Sequence, residues 1–347
     1  MKDYRNLADN YSCGPCGMEA VFHGMILVPK LSIVIPYSYK NSPQELEETL
    51  VSVLENRPAR CQVLVANGGN YQNPYHLSSD EVHFIDLGRE RSIVCCINEA
   101  MDRVSAPVVN VLTCGTVVEE HWANQPLRVF DDPTVALAMT PVFDRLKSNR
   151  LVSSGVLYHH HGVIRNQKLH AEPATGTCLG PHLASAFFRS DHLKRIGGLN
   201  PSFCQQISYL DYSLILRHLK LDTRFVHMSR VHYASKMPIF PTIYERSRQT
   251  EQLFLHWSHL NSWYYNMCSN FIAVSAEFWG NFPHPRMYAF LCGRIAGLSH
   301  YGAHKIKLED IERIAGELAD EEAFQDGIKS FPNSNAPSRS SLAKKAA

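Results

Sequence analysis

The sequence contains no apolar stretch long enough to cross a membrane. A transmembrane helix needs about 18 or more consecutive apolar residues, and no window of the chain reaches that length. The first residues, Met1 to Arg5, are mostly polar and carry no apolar signal core. From these two absences we expect a soluble, cytoplasmic protein without a transmembrane segment.

The sequence also has no excess of charge of one sign. Its 34 basic and 33 acidic side chains give a formal net charge of +1. Domains that bind nucleic acid or an anionic membrane usually carry a clear surplus of Lys and Arg, so we expect no nucleic-acid partner. Hydrophobic residues make up 45% of the 347 positions, which is enough to bury a large core.

The ten cysteines are too scattered for a disulfide framework, and we expect them to be reduced and mostly buried. The Cys13-Gly14-Pro15-Cys16 segment is either a redox or zinc pair or an incidental loop. The loop is favoured because the sequence has no second Cys-x-x-Cys pair to complete a metal site. The run His159-His160-His161 is either a metal site or an exposed turn, and the turn is favoured.

Apolar runs alternate with helical periodicity from Leu31 onward. Near-continuous apolar runs of five to eight residues are typical of buried parallel strands. After the first run, Ser42, Pro43 and Glu45 supply an N-cap, a first-turn proline and a capping-box acid. The predicted strands are Leu31–Pro36, Cys61–Val65, Val82–Leu87, Val108–Leu112, Val135–Val142, Leu183–Phe188 and Arg224–Met228. The pattern predicts an α/β fold with a mostly parallel sheet flanked by helices.

We divide the chain into four regions by composition and periodicity. Residues 1–30 form an N-terminal arm, and 31–239 form the α/β domain, which includes a polar loop or hairpin insertion at 143–177. Residues 240–331 form a helical extension rich in aromatics. The tail at 332–347 is rich in Ser, Pro, Asn, Ala and Lys, and we expect it to be disordered.

The most informative loop is Thr113-Cys114-Gly115, which lies between the strand Val108–Leu112 and a helix expected to open near Glu119. Open α/β sheets bind ligands outside the carboxyl ends of their strands, where such loops lie. A second loop of this kind, Ala66 to Asn70, contains two glycines that permit close backbone approach. Neither loop contains a carboxylate.

These motifs, taken in order, resemble the family 2 glycosyltransferases of the GT-A fold, a Rossmann-like architecture. The likeness covers roughly residues 31–235, and its specificity comes from the order and spacing of motifs that are individually weak. The matching segments are Leu31–Pro36 with Thr49–Leu54, Val108–Trp122 with Phe130–Pro133, Gly180–Arg189 with Ile196–Leu199, and Leu210–Arg217.

The resemblance implies inverting transfer of a sugar from a nucleotide-diphosphate donor to a hydroxyl of a glycan, lipid or protein acceptor. In the family, Mn²⁺ or Mg²⁺ held by an Asp-x-Asp motif neutralises the leaving diphosphate. Here those two positions are Thr113 and Gly115, so metal binding is in doubt and a metal-independent reaction is the alternative. Ala66, Ile97 and Leu210 also replace residues that the family commonly has.

Asp211 occupies the position of the family's catalytic base, and we expect it at the N-terminus of a helix opening at Tyr209. It is either a general base or a structural residue favoured there by the helix dipole. His232 lies near the family's late metal-contacting or phosphate-contacting histidine, and it is either a ligand of this kind or a surface histidine.

Eight residues, including Thr113 and Gly115, are candidates for binding the nucleotide sugar. Tyr37 and Tyr39 are placed to stack on a base or to cover the sheet edge, and Arg89 and Arg91 are placed to pair with a diphosphate or to begin a solvated helix. The set is Pro36, Tyr37, Tyr39, Asn67, Gly68, Arg91, Thr113 and Gly115. Trp257, Trp263 and Trp279 form either a sugar platform or the docking face of the C-terminal helices.

Two functions of different class remain open at this point, and the first is favoured because the glycines at the sheet edge and Asp211 are retained. The first is a working glycosyltransferase, metal-independent or with an unusual metal site, in which Asp211 activates the acceptor. The second is a catalytically inactive protein that kept the fold and binds a glycan or a protein partner.

Overall fold

The computed structural model describes residues 29–77, 81–88, 90–146, 150–167, 177–233, 242–258, 263–280, 284, 286–299, 313–314 and 316–317. The Cys13/Cys16 pair, Arg89 and the tail predicted at 332–347 lie outside these ranges.

The first part of the chain contains the predicted strands and helices, but a short strand follows the Thr113-Cys114-Gly115 loop and the helix expected near Glu119 begins at Asn124. Its elements are β1 (Leu31–Ser38), α1 (Pro43–Glu55), β2 (Cys61–Gly68), β3 (His83–Asp86), α2 (Ile93–Met101), β4 (Val108–Leu112), β5 (Thr116–Val118) and α3 (Asn124–Val129). The capping box at Ser42 and Glu45 is present, with the Ser42 hydroxyl accepting from the Glu45 amide. Local sequence signals therefore fix the start of α1.

The middle of the chain contains short strands and two helices. They are β6 (Val135–Met139), β7 (Val142–Asp144), β8 (Leu151–Ser153), β9 (Gly155–His159), β10 (Val163–Gln167), β11 (Thr177–Gly180), β12 (Ser185–Arg189), α4 (Ser190–Arg195), α5 (Gln205–His218), β13 (Asp222–Phe225) and β14 (Val231–Tyr233). The single strand predicted at 135–142 is wrong in one respect, because the chain leaves the main sheet after Met139 and β7 joins a different sheet.

Three helices follow: α6 (Ile243–Ser258), α7 (Trp263–Gly280) and α8 (Arg286–Leu298). Gly297 allows α8 to approach α6 closely, since a Cβ there would lie 2.8 Å from the Arg248 carbonyl oxygen. At this interface Arg294 and Glu251 form a buried ion pair with an Nη1 to Oε2 distance of 2.8 Å. None of the helices in the described ranges is long and apolar enough to cross a bilayer.

Seven strands form the main sheet in the order β13-β6-β12-β4-β1-β2-β3. All neighbours pair in parallel except β12, which is antiparallel to both β4 and β6. The predicted mostly parallel α/β sheet is confirmed. Two smaller sheets, β5-β14-β7-β8 and β10-β9-β11, flank it.

Apolar side chains cover both faces of the main sheet. One face packs Ile33 and Ile35 against α1, and the other packs Val34 and Leu64 against α2 and α5. A third cluster joins α5 to α6 and the β9 hairpin, with Leu210 and Trp257 among its members. Helix α5 is thus covered on two sides, by the sheet and by α6.

Candidate functional site

Thr113, Cys114 and Gly115, here called the rim loop, follow β4 at the carboxyl end of the parallel strands. Thr113 is 4% exposed and Cys114 is fully buried. The Thr113 hydroxyl donates to the Leu183 carbonyl oxygen at 2.7 Å and accepts from Gln205 Nε2 at 2.9 Å. The Thr113 hydroxyl therefore both donates and accepts a hydrogen bond within the protein.

The other two residues of the rim loop also make contacts within the protein. Cys114 Sγ lies 3.3 Å from the Pro36 carbonyl oxygen, and burial raises the pKa of its thiol. The Gly115 amide donates to Thr49 Oγ1 at 2.9 Å and to the Glu45 carbonyl oxygen at 3.0 Å. Gly115 has a φ of +84°, a conformation that costs side-chain-bearing residues about 1–2 kcal/mol.

Gln205 and Gln206, the first two residues of α5, contact the segment around the rim loop. Gln205 Nε2 also donates to the Leu183 carbonyl oxygen and the Tyr209 hydroxyl, and Gln206 holds the backbone of Pro181 and Leu183. We did not expect either residue at this site. The only sequence signal is a pair of amides directly before an apolar helical run.

Asp211 lies in the middle of α5 and faces α6. Its Oδ1 accepts from Trp257 Nε1 at 2.7 Å, and its Oδ2 accepts from Asn200 Nδ2 at 3.4 Å. His256 Nε2 lies 3.7 Å from the same Oδ1. Burial raises the pKa of Asp211 to about 6, against the smaller opposing effect of these hydrogen bonds.

The predicted helix start at Tyr209 is wrong, because α5 begins at Gln205. Asp211 therefore comes six residues after Gln205, which rotates it by about 120° from the face that contacts the rim loop. The structure does not bring Asp211 together with Thr113. Its role as a general base stays a prediction.

His232, the candidate metal ligand, is buried beside Glu119, with 2.5 Å between His232 Nε2 and Glu119 Oε1. Two residues do not make a metal site, and the described part of the chain contains no group of three His, Cys, Asp or Glu side chains that could hold a metal ion. The run His159-His160-His161 lies at the turn between β9 and β10, with ring centroids of His159 and His161 5.2 Å apart.

His182, just before the rim-loop contact at Leu183, is also buried. Its Nδ1 accepts from the Ala184 amide at 3.2 Å, and burial lowers its pKa to about 4. It is therefore neutral at pH 7 and supplies no positive charge to a diphosphate. His182 is not among the candidates that we selected from the sequence.

The loop predicted from Ala66 to Asn70 includes the last residues of β2 and is shaped by contacts within the protein. Asn67 donates to the Tyr71 carbonyl oxygen and accepts from the Tyr71 amide, each at 2.9 Å, which closes the turn. A Cβ at Gly68 would lie 2.6 Å from Cys96 Sγ and 2.7 Å from Arg91 Cβ. Both candidate residues therefore have internal packing roles.

Three of the remaining candidates lie near this loop. Tyr37 is 4% exposed and packs edge-on against Tyr71, whereas Tyr39 is 55% exposed. The Arg91 side chain is half-exposed, donates to the Leu87 carbonyl oxygen at 3.3 Å, and has Glu99 at 4.0 Å. Of the set, Tyr39 and Arg91 are the residues exposed enough to meet a ligand directly.

A hard divalent cation does not fit this donor set. Mg²⁺ and Mn²⁺ prefer carboxylate, carbonyl and water oxygens, whereas the rim loop supplies one hydroxyl that is already bonded twice. The amides of Gln205 and Gln206 are not bases at neutral pH, so they cannot take a proton from an acceptor.

No protein-family model matches the sequence, and no curated protein matches it. The structure is similar to the mannosyltransferase PcManGT from Pyrobaculum calidifontis, in complex with GDP-Man and Mn²⁺, at a TM-score of 0.50 and 14% identity over 85% of this chain and 80% of that one.

It is also similar to GalNAc-T7 with UDP, GalNAc and Mn²⁺, at a TM-score of 0.52 and 13% identity over 85% of this chain and 58% of that one. The chain therefore spans less than two thirds of GalNAc-T7. At these identities the likeness shows the fold alone. This chain has the GT-A fold. Its membership in family 2 stays a prediction.

Proposed function

We propose that this chain is a glycosyltransferase-like protein that has lost sugar transfer at the rim loop and acts as a glycan-binding scaffold. The loss of sugar transfer is carried by one observation, the closure of the rim loop by the protein's own groups. Thr113, Cys114 and Gly115 are bonded to Leu183, Gln205, Pro36, Glu45 and Thr49.

The energetics of metal binding support this proposal. A cation that took Thr113 as a ligand would displace hydrogen bonds with Gln205 and Leu183, and each buried group left unpaired costs about 1–3 kcal/mol. It would gain only a neutral oxygen in return. Without the cation, the charge that develops on a leaving diphosphate has no strong partner in the rim loop.

A second candidate is inverting transfer without a metal, and two observations favour it. Arg91 is half-exposed beside Gly68, where a guanidinium could pair with a diphosphate. Asp211 retains a carboxylate at the position of the family's base. This mechanism requires the Asp211 carboxylate to break its hydrogen bond with Trp257 and to turn toward the rim loop.

Calorimetric titration with UDP, GDP and their hexose conjugates, with and without Mn²⁺, tests the proposal. We expect no saturable binding at millimolar nucleotide under either condition. Micromolar, Mn²⁺-dependent binding would contradict the proposal. Mn²⁺-independent binding with sugar transfer would favour the second candidate, which Asp211→Asn should then abolish without unfolding the protein.

A further inference from the structure

A cavity of about 600 Å³ lies at the C-terminal end of α5, between the β9 hairpin and helices α6 and α7. We call it the α5 cavity. Its volume is within the range typical of small-molecule sites. Helix α5 begins at the rim loop with Gln205 and reaches this cavity at Leu214, nine residues later. At 1.5 Å per residue, Gln205 and Leu214 are about 14 Å apart along the helix axis.

Aromatic rings form part of the wall of the α5 cavity. Tyr158, Trp257 and Tyr265 are among the lining residues. The Trp257 indole is held in place by its hydrogen bond to Asp211, and the His218 ring lies 4.9 Å from it. Tyr265 stacks against His160 at 6.1 Å with an interplanar angle of 12°. Tyr265 is 63% exposed, whereas Tyr158 and Trp257 are buried, so Tyr265 is the ring placed to pack against the C–H surface of a sugar.

Basic side chains also line the α5 cavity. Arg217 and Lys220 contribute cationic groups from the end of α5. The twelve lining residues all belong to the described ranges, and none of them is acidic. His218 Nδ1 donates to the Leu214 carbonyl oxygen at 3.1 Å, which leaves Nε2 as the acceptor in the neutral ring. Asp211 lies behind the wall and accepts from Trp257, and Lys220 supplies an exposed cationic side chain that can pair with an anion in this cavity.

We propose that the α5 cavity binds an anionic sugar, with the sugar ring against Tyr265 and its phosphate or carboxylate at Lys220. The inference rests on the proposed glycan-binding function and names its site and ligand class. It places ligand binding at the end of α5 opposite to the rim loop.

Calorimetry with four probes tests the ligand class: glucose 6-phosphate, glucuronate, glucose and inorganic phosphate. We expect at least one of the two charged sugars to bind tenfold or more tightly than glucose and inorganic phosphate. The charged sugar that binds more tightly identifies the preferred anion.

If glucose bound as tightly as the charged sugars, the role of charge would be overturned. If inorganic phosphate bound as tightly as they do, the role of the sugar ring would be overturned. If neither charged sugar bound at 10 mM, roughly the weak limit for a specific site, the site itself would be overturned.

Lys220→Asn and Tyr265→Ala test the location, each with a matched control. Lys220 has a φ of +57°, which Asn tolerates, and Arg60→Asn removes a basic residue with a φ of +61° outside the cavity lining. Tyr264→Ala removes a neighbouring exposed ring that does not line the cavity. Both cavity variants should weaken binding of the charged sugar at least fivefold, and both controls should leave it within twofold. Equal effects in variant and control would overturn the location.

Different results would contradict the rim-loop proposal and the α5-cavity proposal. Mn²⁺-dependent binding of a sugar nucleotide that survives Lys220→Asn would contradict the loss of function at the rim loop and leave the α5 cavity untouched. Absence of binding by both charged sugars, together with no nucleotide binding, would remove the α5 cavity and leave the rim-loop proposal standing.

Discussion

The two ends of helix α5 differ in what their polar side chains do. At the N-terminal end, Gln205 and Gln206 bond to the rim loop and to the backbone before β12. At the C-terminal end, Arg217 and Lys220 line a cavity of about 600 Å³. In the family that the sequence resembles, ligand chemistry is concentrated at the first end. In this chain the first end is packed and the second is open, so the fold alone does not indicate where a ligand binds.

The largest effect should come from the helices behind the cavity. Arg294→Met leaves Glu251 buried without its partner, and we expect a loss of about 3–5 kcal/mol in the free energy of unfolding, measured in urea. The double variant Arg294→Met with Glu251→Leu should recover much of this loss. A single variant that loses less than about 1 kcal/mol would show that the α6 to α8 interface does not depend on the pair.

The second effect depends on pH and concerns Asp211. Burial raises its pKa from 3.8 to about 6, so the folded state holds this proton more tightly than the unfolded state. The protonated Asp211 carboxyl makes its full contribution to the free energy of unfolding below about pH 4, and this contribution is lost as the pH rises through 6. At about 1.4 kcal/mol per unit, the loss is on the order of 3 kcal/mol.

Asp211→Asn removes this titration, so its stability relative to the wild type should rise by that amount between pH 4 and pH 7. Thermal unfolding of both proteins across this range measures the difference. A difference that is constant with pH would show that Asp211 is not the buried acid of the α5 to α6 interface.

The third effect concerns the packing of the rim loop. Thr113→Val removes the hydroxyl that bonds to Leu183 and Gln205, and we expect a loss of about 1–3 kcal/mol in the free energy of unfolding. Binding of charged sugars at the α5 cavity should not change. If the substitution instead weakened that binding tenfold, the two ends of α5 would not be independent.

The smallest expected effect is on metal affinity when the family's motif is rebuilt. Thr113→Asp with Gly115→Asp restores Asp-x-Asp in the sequence, but both positions are buried and Gly115 has a φ of +84°. We expect no gain in Mn²⁺ binding by calorimetry, together with a lower melting temperature. Tight Mn²⁺ binding by this variant would show that the rim loop lacks only the two carboxylates of a metal site.

The sheet could be predicted from the sequence because its signals are local. The apolar run at Leu31 and the capping box at Ser42 each specify one element. The early start of α5 could not be predicted, since its N-cap residue, Cys204, makes no side-chain capping hydrogen bond. Strands β5, β7 and β14 have three residues each, too few to show a period.

The chemistry of the candidate site was only partly predictable. The absence of carboxylates from the rim loop was visible in Thr113 and Gly115. The partners of Asp211 were not visible, because Trp257 is 46 residues away in the sequence and meets it only through the packing of α6 on α5. Whether a candidate residue faces a ligand or the core depends on such long-range contacts.

Electron spin resonance of Mn²⁺ tests the central claim most directly. Free Mn²⁺ gives a signal that decreases when the ion binds to a protein and nucleotide complex. With UDP or GDP present, the account predicts that added protein leaves the signal at the level set by the nucleotide alone. A decrease that grows with protein concentration and requires the nucleotide would contradict it.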